Sequence, residues 1–480
     1  MSWGVKNILP RQRLLRDLST LSGAAALAQI IALAVLPVLT RLYPPEAHGL
    51  AATFASIVGI IGVVSSLRYE FAIPLPRTDR GAWHLAALSL ALLIAVSVVS
   101  GVAALWLGGE MARALDIPVW VFAALVAVGI ATLSAYKVAN YWAVRKSAFG
   151  TIARTRIQQG IAGPGSQLAL GLMGIGPLAL VIGQIIGQCA GLSRLAIQMI
   201  ADNRRRGLAV RRRGIAWAAK RYRKFPLYDS WAGLLDIAGA QAPILLLATL
   251  FSPIVAGYYT LANRVFTAPL RLVGTALSQV LQPRIVEAQR TGTTAKLLEG
   301  LIQLLTVMAL PPFAIAAVII PDFVSTLFGK EWADAGWVVA WTATWAGSQF
   351  VAAPLGVVLI AVEAQKLNMA LQASLVAVRV AALLVGAALG SAYIAIVLFS
   401  VVSAIGYMAI TAASGILVGL TMNRMVVAVW RPVLLASFGA SIVALIRPEF
   451  SAVRYFLVIL IGGLWGWQMW ASASRFLRQG

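Results

Sequence analysis

LSTLSGAAALAQIIALAVLPVLTRLYPP, residues 18–45, is the stretch that decides the class of fold. It carries no charged residue from Leu18 to Thr40, and as a helix from Leu18 to Leu42 it is long enough to cross the ~30 Å hydrocarbon core of a bilayer. Lys6, Arg11, Arg13 and Arg16 precede it, as cations precede a secretory signal. The apolar run is too long for a signal core, however, and it ends in Arg41-Leu42-Tyr43-Pro44-Pro45 instead of small residues suited to cleavage. It is therefore expected to be retained as a first membrane span.

The same pattern recurs along the chain. Of its 480 residues 60% are hydrophobic and only 11% charged, and the mean hydropathy is +0.86, which excludes a soluble enzyme. Fourteen spans are expected, at residues 18–42, 49–67, 83–107, 118–143, 157–173, 177–200, 227–250, 254–282, 297–320, 337–362, 368–389, 392–418, 432–446 and 451–471. The expected fold is an all-α polytopic membrane protein. One cysteine, Cys189, excludes an internal disulfide, and two histidines with no Cys/His spacing leave zinc or haem without a ligand set. His48 and His84 fall at span ends, where an interfacial hydrogen-bonding role is expected.

The formal charge of +23 would suggest nucleic acid in a soluble chain. Its distribution gives another reason. With the amino terminus inside, 29 of the 39 Lys and Arg fall on cytoplasmic segments and five on the outer side, Arg41, Arg113, Lys330, Arg447 and Arg454. Cations are retained on the cytoplasmic side, so both termini are expected there, and no nucleic-acid partner is needed. Pro321 to Gly336 is the longest polar connection expected outside.

Ten of the inner cations lie between Asp202 and Lys224, around Ile215, Trp217 and Tyr222. This segment is either an enlarged positive-inside anchor or a surface that gathers anionic lipids. It divides the chain into an N-terminal lobe at 1–200 with six spans, a basic amphipathic linker at 201–226, a C-terminal lobe at 227–418 with six more, and an extra pair at 419–480. The lobes share a trace of sequence: Leu42-Tyr43-Pro44-Pro45 with Gly49 aligns with Leu250-Phe251-Ser252-Pro253 with Gly257. Each copy precedes the second span of its lobe, and an even number of spans separates them. A parallel duplication, with lobes related by an axis along the membrane normal, gives this pattern, and turn chemistry alone is the other source.

A charge inside hydrocarbon costs at least a few kcal/mol, so each one needs a partner, a wet cavity or a substrate. Arg264 and Arg271 are two helical turns apart and share a face of the eighth span. Arg379 is central in the eleventh span, and Lys137 lies in the inner part of the fourth. The spans hold two carboxylates, Asp229 and Asp236, both on the seventh. Asp236 is placed either to pair with Arg264 or to exchange a coupling ion, whereas Lys137, Arg194 and Arg271 lie close enough to the inner interface to snorkel. Uncharged polar groups come from Gln29, Gln167, Gln184 and Gln188. Gly183, Gly187 and Gly191 form a G-x-x-x-G-x-x-x-G run, more often a helix-packing stripe than a ligand site. Pro37, Pro164, Pro243, Pro269 and Pro354 fall inside spans, where a helix can bend.

Arg41-Leu42-Tyr43-Pro44-Pro45-Glu46-Ala47-His48-Gly49, followed by Arg68-Tyr69-Glu70-Phe71-Ala72-Ile73-Pro74, resembles the opening two spans of Wzx-type oligosaccharide flippases. These form the polysaccharide-exporter branch of a superfamily that includes multidrug exporters and the peptidoglycan-lipid flippase. Lys224-Phe225-Pro226, Gly257-Tyr258-Tyr259, Pro269-Leu270-Arg271, Gln279 to Pro283 and Leu327-Phe328-Gly329-Lys330-Glu331-Trp332 sit where that family has similar runs. The resemblance covers roughly residues 12–420. It implies two pseudo-symmetric six-helix lobes around a cavity that opens to either side in turn. The implied substrate is a polyprenyl-diphosphate-linked oligosaccharide destined for O-antigen, exopolysaccharide or capsule. The family commonly has twelve spans, so the extra C-terminal pair is a departure.

The residues suit that implication. A diphosphate needs cations at mid-depth, and an Arg presents a planar donor fork to phosphate oxygens. Arg264, Arg271, Arg379 and Lys137 are the expected phosphate contacts, with Arg41, Gln29, Gln184 and Tyr258 beside them for the substrate. Asp236 and Asp229 are the expected ion-coupling residues. No cofactor is expected; coupling to a proton, Na⁺ or the membrane potential is. Expected partners are the lipid-linked oligosaccharide, anionic lipids and the polysaccharide polymerase machinery, and the expected location is the bacterial inner membrane. The nearest alternative is a cation-coupled multidrug exporter of the same superfamily, which favours a carboxylate-centred cavity. A membrane polymerase or glycosyltransferase is the enzyme alternative, and its large outer loops are missing from this pattern. A scaffold has no use for unpaired intramembrane arginines.

Overall fold

The computed structural model describes residues 11–362 and 364–445, together with 465, 466 and 469. Among these residues all regular structure is helical, and the chain divides into two compact units, Met1–Ala248 and Thr249–Gly480. The division falls close to the end of the seventh-span helix, whereas the boundary read from the sequence at 226 places that helix with the second half.

The first unit contains α1 (Arg11–Leu42), α2 (Pro45–Val64), a 3-10 turn (Tyr69–Ala72), α3 (Asp79–Leu107), the short α4 (Gly109–Ala114), α5 (Val119–Arg145), α6 (Phe149–Leu172), α7 (Leu178–Arg206), the short α8 (Arg212–Arg221) and a π turn (Phe225–Asp229) that leads into α9 (Ser230–Leu250). Helix α6 packs on α1 and α7, and α5 on α3 and α7. Two cores result. One gathers Phe54, Val58, Phe122 and Ile130, with the rings of Phe54 and Phe122 edge to face at 6.3 Å. The other gathers Ile73, Leu85, Trp142 and Leu195.

The second unit contains α10 (Pro253–Thr291), α11 (Thr294–Phe328), a 3-10 turn (Lys330–Trp332), α12 (Ala335–Ala361), α13 (Gln365–Ala388), α14 (Ala392–Leu417) and α15 (Met422–Leu445). Helix α12 is its centre, packed on α10, α11 and α14, while α13 lies against α14 and α15 against α11.

Among the described residues nine helices are long and apolar enough to cross a membrane. Their outward faces agree with that role: Val98, Val99, Val102, Trp106 and Leu107 on α3 and Val426, Val427 and Leu434 on α15 are all exposed, a surface that only lipid would cover without cost. The chain is a multi-pass membrane protein. Some boundaries differ from the hydropathy reading. Helix α6 begins at Phe149, eight residues before the expected fifth span, and carries Arg154 and Arg156 through its first turns. Helix α11 continues through Pro321 to Phe328, so the outer connection expected from Pro321 shrinks to the segment around the 3-10 turn. A proline inside a membrane helix gives up one backbone hydrogen bond and need not end it. The thirteenth expected span is the C-terminal part of α15, and nearly all of the fourteenth lies outside the described residues.

The two turns that share a sequence trace also share a local geometry. Pro44 and Ser252 are both extended N-cap residues, followed by a proline in the first helical turn of α2 and of α10. Proline is suited to that position because the first-turn amide lacks an intrahelical acceptor in any case.

The glycine run on α7 is a packing stripe. A Cβ on Gly187 would come within 2.9 Å of the Gly163 Cα on α6, one on Gly191 within 2.6 Å of Gln159 Nε2, and one on Gly183 would strike Gln167. Backbone cannot yield at Gly187 as a side chain can at Gly191. Gly187→Leu is therefore expected to destabilise the first unit by about 1–3 kcal/mol, the usual cost of overpacking. Thermal melting of the purified variant measures this, and a melting point equal to that of the unaltered protein would show α6 and α7 to be looser than described.

Candidate functional site

The intramembrane cations are held in different ways. Arg379 on α13 has the most elaborate setting. Its Nε donates to Ser403 Oγ on α14 at 2.8 Å, and its guanidinium carbon lies 5.0 Å from the ring centre of Tyr407, 5.4 Å from Phe399 and 5.5 Å from Trp345. Trp345 and Tyr407 are stacked at 6.2 Å, Phe399 meets Trp345 edge to face, and Tyr259 of α10 meets Phe399 at 5.7 Å. The aromatic faces are electron-rich, so they stabilise a guanidinium that is half-buried, with Nη2 wholly out of solvent. Gln349, one turn beyond Trp345 on α12, donates from Nε2 to Tyr407 Oη at 2.8 Å.

This box does not satisfy its own polar groups. Arg379 Nη2, Trp345 Nε1 and Gln349 Oε1 are buried without a hydrogen-bond partner, and no carboxylate pairs with Arg379 among the described residues. Two unused N–H donors beside a fixed positive charge can receive an anion, because an oxyanion supplies both the acceptors and the countercharge that are missing.

Arg264 on α10 is exposed, with no ion pair within its own unit among the described residues. Arg271 lies two turns further along α10, and its side chain is outside the described residues. Tyr258, expected beside the substrate, is buried and meets Trp332 of the 3-10 turn Lys330–Trp332 edge to face at 6.2 Å. Tyr259 next to it joins the Arg379 box instead.

In the first unit Lys137 Nζ donates to the Gly62 carbonyl at 3.0 Å, where Ser65 and Ser134 also converge, Ser65 Oγ lying 2.6 Å from Ser134 Oγ. Gln29 and Gln184 are half-buried without a hydrogen bond among the described residues, and Arg41 is exposed in the last turn of α1. Gln167 and Gln188 have local duties, Gln167 Nε2 donating to the Leu180 carbonyl at 3.0 Å and Gln188 Oε1 accepting from Thr132 at 3.2 Å. Asp229 accepts from Arg68 Nε at 2.9 Å, while Asp236 is exposed and has no ion pair within its unit among the described residues. The sequence placed these two carboxylates on one span, and both lie in the helical segment Phe225–Leu250, Asp229 at the end of its π turn and Asp236 in α9.

The basic linker forms α8, fastened by its buried Ala218, by the Tyr69 hydroxyl donating to the Ala219 carbonyl at 3.1 Å, and by His84 Nε2 accepting from the Arg211 N–H at 3.4 Å. Arg212, Arg213, Trp217, Lys220 and Arg221 stay exposed. His84 thus makes a hydrogen bond to the start of the linker helix.

Residues that sequence reasoning did not single out but that the structure places in these polar clusters are Arg68 and Glu70 in the first unit and Trp345, Gln349 and Tyr407 in the second. Glu70 was visible only as one letter of a family-like run, and the three residues around Arg379 carry no charge to single them out.

The sequence pattern of the family described as "Polysaccharide biosynthesis protein" matches residues 38–336. No curated protein sequence matches the chain. Among solved structures, the lipid II flippase MurJ in an inward closed conformation superposes with a TM-score of 0.70 at 11% identity, covering 96% of this chain and 99% of that one. A multidrug resistance MATE family transporter of the MOP superfamily matches in its inward-facing conformation with a TM-score of 0.50 at 13% identity, covering 87% and 98%. In its outward-facing conformation the TM-score is 0.50 at 14% identity, covering 88% and 99%. At such identities the likeness is one of fold.

Proposed function

Because the chain belongs to the polysaccharide biosynthesis protein family, we propose that it is a flippase for polyprenyl-diphosphate-linked oligosaccharide, moving it from the cytoplasmic to the outer leaflet of the bacterial inner membrane by alternating access. The product would supply O-antigen, exopolysaccharide or capsule. The observation that carries this reading is the Arg379 box, a half-buried guanidinium among the rings of α12 and α14 with two buried N–H donors unused. A diphosphate meets that need. Arg264, Arg271 and Lys137 add cations, and Gln29, Gln184, Arg41 and Tyr258 are assigned to the rest of the substrate. Translocation needs no bond to be made or broken in the substrate.

The rival is a cation-coupled drug exporter, with which the fold is shared. Its cationic or neutral cargo has no use for Arg379, whose field repels it. Deleting the gene and assaying which leaflet holds the lipid-linked oligosaccharide separates the two. Accumulation on the cytoplasmic leaflet is expected; normal export with new drug sensitivity would favour the exporter.

Orientation follows from the cation bias. Tags at either terminus and in residues 202–224 are expected to be cytoplasmic, with the α11–α12 connection outside. Labelling of residues 202–224 by an impermeant reagent on intact cells would reverse the assignment. There α8 would rest on anionic lipid, Trp217 at the headgroup boundary and its arginines over the phosphates.

For energy coupling, Asp236 has two roles to choose between. As a permanent partner of Arg264 it makes Asp236→Asn unstable and Asp236→Asn with Arg264→Gln partly restored, because a stranded charge is removed. As an ion-exchanging group it gives a well-folded Asp236→Asn protein whose transport ignores an imposed ion gradient. Melting and reconstituted flux on the same three proteins decide which, and flux unchanged under every gradient would remove Asp236 from the mechanism.

A further inference from the structure

The cytoplasmic end of the first unit holds a buried carboxyl that the transport reading leaves unused. After α2 the chain turns through Leu67 and Arg68, both in the left-handed region at φ 50° and 60°. Two successive non-glycine residues in that region are strained, and such strain persists only where the surroundings impose it. The turn carries Glu70 inward until its residue is 1% exposed. Ser66 donates to Glu70 Oε2, while Oε1 is buried with no hydrogen-bond partner.

The neighbouring cations do not close on it. Lys137 of α5 gives its hydrogen bond to the Gly62 carbonyl, and Arg68 is turned toward Asp229 with its guanidinium 4.2 Å from the Phe71 ring centre. A Cβ on Gly233 of α9 would stand 2.6 Å from the Arg68 guanidinium carbon, so that glycine makes room for it. The other titratable groups around the turn are engaged elsewhere or lie outside it. On α5, Tyr141 packs on Phe71 at 4.6 Å, and on α3, Asp79 is held by three cations and His84 by the Arg211 amide. Arg80 of α3 and Lys220 and Arg221 of α8 are exposed.

We propose that Glu70 is a proton-binding site, its unpartnered Oε1 taking up one H⁺ at the cytoplasmic end of the first unit and releasing it when the turn at Leu67 and Arg68 changes conformation. The chemistry is one O–H bond formed from a water-borne proton, with no electron transfer. Burial pushes the Glu70 carboxyl above the ordinary carboxylate range, against the opposing pull of the Ser66 hydroxyl, its own backbone amide, Lys137 and Arg68. Ionised, Glu70 balances Arg68, Lys137 and Asp229 to zero; protonated, it leaves them at +1. Uptake thus weakens the hold on the two cations, of which Arg68 links this turn to the entry of α9.

The sign of the linkage is fixed. A carboxyl raised in the folded state favours folding below its unfolded value, about 4.3 for Glu, and that contribution is lost as the pH rises through the folded value. Glu70→Gln, permanently neutral, should therefore melt no lower than the unaltered protein at pH 8.

The role of this proton in a cycle rests on the carrier reading, but the proton itself does not, so the deciding experiment needs no substrate. Infrared titration of the full-length protein in lipid nanodiscs should show a protonated-carboxyl band persisting above the range where ordinary carboxyls ionise. It should be lost in Glu70→Gln and shifted in Glu70→Asp. An identical band in all three proteins overturns the proposal, as does its absence from the unaltered protein. In vesicles with an imposed pH gradient, flux of lipid-linked oligosaccharide should respond to the gradient in the unaltered protein and cease to respond in Glu70→Gln. If the unaltered protein moves none, the flippase reading fails while the infrared result still judges Glu70.

Discussion

Arg379→Met is expected to abolish polysaccharide export while leaving the protein at least as stable as before. The two halves of this expectation have separate causes. A charged side chain inside a membrane helix costs a few kcal/mol even when aromatic rings receive it. Here Nη2 is left unsatisfied as well. Methionine fills much of the space between Trp345, Phe399 and Tyr407 without a charge to desolvate, so folding gains or holds even. Transport loses a charge-assisted contact to phosphate, worth about 1.5–3 kcal/mol or roughly ten- to a hundredfold in affinity. Arg379→Lys should recover part of the activity, since it keeps the charge among the rings but loses the fork and the bond from Nε to Ser403. Export assayed at matched protein levels, with melting in parallel, tests both halves. A Met variant that exports normally would make the box structural and move the phosphate site elsewhere.

The class of fold was readable because a bilayer imposes a length on every apolar run. The expected spans agree with the described helices through α14, since each run of twenty or so apolar residues has one solution in lipid. Helix ends were less readable. Pro321 marks the end of an apolar window but not of α11, and the cations of α6 lower its hydropathy without shortening it, because hydropathy reports where lipid is and hydrogen bonding decides where a helix stops. The glycine stripe of α7 was legible for the same kind of reason. A spacing of four places successive residues on one face, and only a partner backbone makes bare Cα atoms useful there.

The site was readable by charge and unreadable by neighbour. Arg379 stands out as a cation in an apolar run, but nothing in the sequence says that Trp345 and Tyr407, on two other helices, meet over it. Tyr258 and Tyr259 are adjacent letters with different surroundings, because successive residues on a helix point about 100° apart. One packs on Trp332 and the other joins the Arg379 box. Glu70 falls between the second and third expected spans, where hydropathy says nothing of its burial. Its burial depends on two left-handed residues, a conformation that no composition reveals.

Asp79→Asn is expected to cost about 3 kcal/mol of stability, far more than a surface charge would. Asp79 opens α3 just after the N-cap Thr78, whose side chain accepts from the Gly81 amide at 3.2 Å. From that position it receives Arg145 Nε at 3.0 Å and Lys146 Nζ at 2.9 Å from the end of α5, and Arg206 from the end of α7. The side chains of Arg145 and Lys146 are only 11% and 17% exposed, so the loss of their shared anion leaves two cations largely out of water. Breaking a buried pair from one side costs about 3–5 kcal/mol, and the half-exposed Arg206 adds little. Asparagine keeps the size but loses the charge and one of the two acceptor oxygens, so the expected cost covers both the missing anion and the hydrogen bonds that its NH2 group cannot accept. The carbonyls of Pro74 and Pro76, which accept from Arg145 Nη1 at 3.2 and 2.7 Å, soften the loss and set the expectation at the lower end of the range. Asp79→Asn with Arg145→Met should recover part of the stability, because it removes one stranded cation together with its anion. Melting of the three proteins measures the coupling, and protease cleavage within residues 202–224 should rise in the single variant, since Arg206 and Asp79 fasten the start of that segment. An Asp79→Asn protein that melts within about 0.5 kcal/mol of the original would mean that water already shares these charges.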